Sequence, residues 1–89
     1  MFDPKLVIDR LGTYFPTAWI SLKPHASSVR MQAAIEAAAF LSTKISNTEQ
    51  IKSIEIGVHG AMLGKLTSNT PVDFQQAQLS TPFAVAMAL

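Results

Sequence analysis

At 89 residues the chain is long enough for one domain with a marginal core, and its formal net charge is only +1. The seven cations (Lys5, Arg10, Lys23, Arg30, Lys44, Lys52 and Lys65) form no run, so no nucleic-acid partner is expected, because phosphate binding needs clustered positive charge. Cysteine is absent, which excludes a disulfide framework and a thiolate metal site, and no apolar run approaches the roughly 20 residues of a membrane helix.

Residues 6–11 hold Leu6, Val7, Ile8 and Leu11, a short helix or turn that Gly12 ends. Residues 14–22 are rich in aromatic and β-branched side chains. Trp19-Ile20-Ser21-Leu22 reads as a strand, stopped by Pro24. After a turn at His25-Ala26-Ser27, either Ser27 or Ser28 caps a helix over residues 28–43. Its apolar face is Met31, Ala34, Ile35, Ala38 and Leu41, at three- and four-residue spacing. Alanines at 33, 34, 37, 38 and 39 favour helix and permit close packing.

Ser46-Asn47-Thr48 marks a loop. Residues 51–59 then alternate, with Lys52, Ile54, Ile56 and Val58 on one side, mostly apolar, and Ile51, Ser53, Glu55, Gly57 and His59 on the other. That period predicts a half-buried strand. Residues 61–66 suit a short helix. Residues 74–79 hold three glutamines and favour no single state. Ser80-Thr81-Pro82 starts a helix, with proline in its first turn. Residues 83–89 are uniformly apolar and helical by propensity, which reads as truncation inside a buried helix; exposed, they would be an aggregation hazard.

Hydrophobic residues make up 48% of the chain and charged residues 15%. Such sparse charge suggests apolar surface for a partner domain or subunit, or an alanine-rich helical composition. Residues 1–10 carry Asp3, Pro4, Lys5, Asp9 and Arg10, so no signal peptide is expected there. An intracellular location, cytoplasmic or mitochondrial, is the expectation.

Chemistry alone singles out no enzyme class. The four glycines are isolated, so no phosphate loop is present. His25 and His59 have no metal-ligand spacing. Neither a metal nor a cofactor is expected.

Two stretches carry more information. One is Lys23-Pro24-His25-Ala26-Ser27-Ser28 followed by Ala34-Ile35-Glu36-Ala37-Ala38. The other is Gln76-Ala77-Gln78-Leu79-Ser80-Thr81-Pro82-Phe83-Ala84-Val85-Ala86-Met87-Ala88-Leu89. Both resemble signatures of the MmgE/PrpD family, which includes 2-methylcitrate dehydratase, cis-aconitate decarboxylase and an iminodisuccinate epimerase. The likeness spans about residues 20–89. It implies an α+β fold, a small sheet packed by helices, forming much of that family's smaller domain. Residues 1–79 would belong to that domain and residues 80–89 to a helix returning to a larger all-helical domain. It implies a cofactor-independent lyase or isomerase that makes or quenches a carbanion beside a carboxylate, acting on small di- or tricarboxylates as a homodimer.

Carried over residue by residue, the resemblance makes Lys23 catalytic, its ammonium pairing with a substrate carboxylate and stabilising enolate charge. His25 and Ser28 would contact substrate. Three positions depart from the family pattern. Phe83 and His25 stand where tyrosine is usual, and Gln32 stands where histidine is frequent. His59 at the strand end and Trp19 are weaker candidates. The family's acidic and histidine general bases would lie in its larger domain, so these 89 residues alone are expected to be inactive. The rival reading is a stand-alone binding module, or a decayed member, whose apolar residues 83–89 dock a partner helix.

Overall fold

The computed structural model describes residues 2–89 and holds four short α-helices among them: α1 (Pro4–Ile8), α2 (Gln32–Ser42), α3 (Phe74–Gln78) and α4 (Thr81–Ala88). Single 3₁₀ turns fill the intervals at Pro16–Trp19, Val29–Met31, Thr48–Gln50 and Gly60–Met62.

Three of the four helices start where a short polar side chain serves a free backbone N–H group, and α2 follows a 3₁₀ turn that is capped in the same way. Asp3 accepts from the Lys5 amide at α1, and Asp73 accepts from the Gln76 amide at α3. Gln76 in turn accepts from the Val72 amide, 3.2 Å away. Ser80 caps α4 by accepting from the Phe83 amide, with Pro82 in the first turn. Of the two candidate caps near α2, Ser28 is the one used. It accepts from the Arg30 amide, and a 3₁₀ turn leads into the helix.

The core is small. Met31, in the 3₁₀ turn before α2, and Ile35 on α2 meet Met62 and Leu66, with Val58, Ala84 and Ala88 packed against them. Ala38 and Val85 are buried as well. α4 lies along α2, and the alanines on both helices let the backbones approach closely. The Thr81 amide donates to the Leu66 carbonyl at 2.8 Å. The Ser80 hydroxyl donates to the Ser68 carbonyl at 2.6 Å. These two bonds pin the start of α4 to the segment that supplies Met62 and Leu66.

The expected α+β fold is not found. No strand or sheet forms among the described residues. Alternation decides which side of an extended segment is apolar, but a ladder also needs a second strand within hydrogen-bonding reach. Residues 51–59 keep the expected facing in part. Ile56 and Val58 turn partly inward, Ile54 stays half exposed, and no strand lies alongside. The other expected strand has no ladder either. Pro16 opens a 3₁₀ turn that holds Trp19, and residues 20–23 run on fully exposed. The short helix expected over residues 61–66 reduces to the Gly60–Met62 turn followed by Gly64 at φ +73°. In the first element α1 stops at Ile8. Arg10 and Gly12, both at positive φ, turn the chain beyond it.

The molecule is elongated, 59 × 27 × 23 Å. Its radius of gyration of 18.4 Å far exceeds the roughly 12 Å of a compact domain of this length. No helix among the described residues is long and apolar enough to cross a membrane.

The start of α4 makes a pair of opposed predictions. Thr81 is buried and its hydroxyl oxygen has no hydrogen-bond partner, so Thr81→Val, which keeps the shape, should raise stability by about 1 kcal/mol. Ser80→Ala, which removes both a cap and the bond to Ser68, should lower it by about 1–2 kcal/mol. Urea denaturation of the two variants measures both. Destabilisation by Thr81→Val would show that its hydroxyl is bonded after all.

Candidate functional site

The turn at residues 23–28 is held by one carboxamide. Gln32, in the first turn of α2, accepts from the His25 amide through Oε1 at 3.0 Å and donates from Nε2 to the His25 carbonyl at 3.1 Å. The same nitrogen lies 2.8 Å from the Ser27 hydroxyl and 3.2 Å from the Ser28 carbonyl. Gln78 on α3 adds a bond to the Ala26 carbonyl at 3.1 Å, across 52 residues of sequence. The turn is thereby fastened to the start of α2 and to α3 at once.

The Lys23 ammonium donates to the Ser27 carbonyl at 3.1 Å. This bond folds the long side chain back over the turn. Lys23, Ser27 and Ser28 line one open groove of about 740 Å³, and Gln75 and Gln78 of α3 face them across it. Lys23 is the only charged residue among those that line it. Ala26, Val29 and Leu79 also line it, so the exposed ammonium stands among both apolar and neutral polar side chains, a setting in which it can meet a small anion. Lysine acts there as a point charge, and its neutral neighbours can donate hydrogen bonds.

His25 points to the other side of the turn. Its Nε2 pairs with the Glu36 carboxylate of α2 at 2.5 Å. It lines a second groove of about 620 Å³ with Phe74, Phe83 and Met87, which is mainly apolar. The turn therefore separates the expected site residues. Lys23 and Ser28 stand together, while His25 stands with Phe83. Ser28 is also partly committed, because its hydroxyl caps the 3₁₀ turn before α2 at 3.4 Å from the Arg30 amide. His59 is remote from both grooves. Its Nδ1 accepts from the Ala61 amide at 3.2 Å and so caps the Gly60–Met62 turn. Trp19 lies in the exposed segment before the turn.

The sequence reading does not single out Gln32 as the residue that organises the turn, nor Gln75, Gln78 and Glu36 as neighbours of the site. The available signals were faint. Gln32 is a lone amide in the first turn of an alanine helix, and the other two glutamines fall in a stretch with no clear period. The groove around Lys23 contains no carboxylate or imidazole to take up a proton. Among the described residues no group of three or more His, Cys, Asp or Glu side chains can hold a metal ion.

Comparison of the chain with protein-family models, with curated proteins and with solved structures finds no match.

Replacing Gln32 with Leu should release the turn while leaving α2 helical. The lost bonds should lower stability by about 1–3 kcal/mol, and the His25 amide should exchange its hydrogen much faster. Hydrogen exchange followed by NMR reads this directly. An unchanged His25 rate would mean the turn is held by something other than the carboxamide.

Proposed function

We propose that the chain is the carboxylate-holding part of a cofactor-independent lyase or isomerase of the MmgE/PrpD type, working on small di- or tricarboxylates. The observation that carries this reading is the Lys23 groove, where the only charged side chain is an ammonium and Ser27, Ser28, Gln75 and Gln78 are among its neighbours. The sequence likeness around Lys23-Pro24 and residues 76–89 supports it.

In such a reaction a base removes the proton next to a carboxylate. The electron pair left behind spreads onto the carboxylate oxygens as an enolate. An ammonium in hydrogen-bonding reach of those oxygens favours that state more than the resting substrate, which is how it lowers the barrier. Lys23 is assigned this role. Ser28, Gln75 and Gln78 would orient the remaining oxygens of the substrate. The bond from Lys23 to the Ser27 carbonyl limits the motion of the side chain before substrate arrives.

The proton acceptor is assigned to residues outside these 89, since the groove has none. His25 is not that base in this assignment. It faces away from Lys23, and its Nε2 is engaged by Glu36. Phe83 lacks the hydroxyl of the tyrosine usual at its position, so no hydrogen bond is assigned to it. Gln32, where histidine is frequent, takes a holding role because its amide is already spent on the turn. The working enzyme would be a homodimer in a cytoplasmic or mitochondrial compartment.

A non-catalytic binding module is the second reading. The observation that favours it is the extent of apolar surface left open, with Leu22 92% exposed, Val72 82% and Phe74 75%.

Titration with citrate or cis-aconitate, followed by amide NMR, separates the two readings. Shifts should gather at Lys23, Ser28, Gln75 and Gln78 and disappear in Lys23→Ala. The chain alone should turn over neither 2-methylcitrate nor cis-aconitate. In a complete enzyme carrying this segment, Lys23→Ala should lower kcat on the order of 10²–10³-fold with little change in Tm. Absence of any localised shift would remove the carboxylate reading and leave the binding module.

A further inference from the structure

Two residues four positions apart on α2 act on His25. Gln32 holds its backbone at both the amide and the carbonyl. Glu36 pairs with Nε2 of its ring at 2.5 Å. Positions i and i+4 lie on one face of a helix, so a single face of α2 fixes both where His25 sits and how its imidazole is turned.

The pairing also selects the ring nitrogen that carries the proton. An ionised carboxylate only accepts, so Nε2 is the nitrogen that donates. In the neutral ring this leaves a lone pair on Nδ1. Among the described residues no group bonds to Nδ1 of His25. A carboxylate that orients an imidazole through one nitrogen presents the other to a ligand.

That open acceptor stands on the wall of the groove of about 620 Å³, with Ile35, Phe74, Phe83 and Met87. The volume falls within the roughly 300–1,000 Å³ of small-molecule sites. No charged side chain lines the groove, so an ionic ligand would lose its water there without gaining a partner. The other polar residues of the wall are engaged, Ser27 by the Gln32 carboxamide and Gln78 by the Ala26 carbonyl. Phe74, Phe83 and Met87 stand exposed. Phenylalanine rings and a methionine thioether all pack favourably against an aromatic ring.

We propose that this groove binds a small aromatic molecule carrying a hydroxyl group, a phenol, whose O–H donates to Nδ1 of His25 while its ring covers Phe74, Phe83 and Met87. A phenol matches the groove on both counts, since it brings a proton for the fixed lone pair and an apolar face for the exposed side chains. A carboxylate brings neither that proton nor a cation to meet its own charge. The site is independent of the Lys23 groove, which lies on the other side of the turn.

Long-range ¹H–¹⁵N NMR of the free protein, at a pH where the ring is neutral, should show His25 protonated at Nε2 and bare at Nδ1. Added p-cresol should move the Nδ1 resonance, the Met87 methyl and the Phe83 ring together in one saturable step. The methyl ether of p-cresol, with the hydroxyl blocked, should bind roughly 3- to 10-fold more weakly. His25→Ala leaves the backbone groups that Gln32 holds, so the fold should survive, and this variant should bind the two probes alike. Glu36→Ala should release the ring, giving a mixture of both tautomers and weaker binding of p-cresol. A proton on Nδ1 in the free protein would overturn the proposal. Equal binding of the ether and p-cresol would do the same, as would a preference for p-cresol that survives in His25→Ala. A groove covered by the chain's own exposed residues 2–24, or by another protein, would give no p-cresol shift, and that result also sinks the idea.

Discussion

The Gln32 carboxamide is the constraint on which most of the rest depends. It both donates to and accepts from the backbone of His25, so it serves two backbone groups of a turn that no helix or sheet supplies. A buried or half-buried backbone needs such partners. By holding the turn against the start of α2, the amide directs Lys23 to one side and His25 to the other. It also anchors the turn that follows the exposed residues 2–24. A glutamine suits this task better than histidine, because one planar group presents a donor and an acceptor side by side.

The remaining order comes from a core of few residues. Met31 and Ile35 are covered by Met62 and Leu66, and α4 closes over α2 through Ala84 and Ala88. Ser80 and Thr81 are wholly buried at the joint between α4 and the segment before it. Their bonds to Ser68 and Leu66 tie that segment to α4 without strand pairing. This economy has a consequence. A core so small cannot absorb the apolar side chains of residues 2–24, nor Val72 and Phe74. Burial of each would stabilise the molecule by roughly 1.5–3 kcal/mol, so covering them is a strong drive toward association.

Charge is arranged as sparsely as the core. The groove that holds Lys23 has no acid to neutralise it, while Glu36 is engaged by His25 across the turn. The separation matters for chemistry. A cation left without a counterion can serve an incoming anion, whereas one already paired must first be freed. The carboxylate reading rests on this placement together with the motif around Lys23, and the mainly apolar groove on the opposite side contributes packing surface instead.

Local order was legible in the sequence because its causes are local. The cap at Ser80, proline in the first turn of α4, and the alanine-rich helix with Met31, Ile35 and Ala38 inward all follow from backbone bonding and a 3.6-residue period. The period also over-predicted that face, since Leu41 lies at its end and is half exposed. The α+β expectation failed for a nonlocal reason. Alternation over residues 51–59 states which side is apolar and says nothing about whether a second strand comes alongside. The grouping of Lys23 with Ser28, Gln75 and Gln78, and the parting of His25 from it, were decided only when α3 and α2 closed on the turn. Those contacts join residues as much as 52 positions apart, and no spacing rule reaches that far.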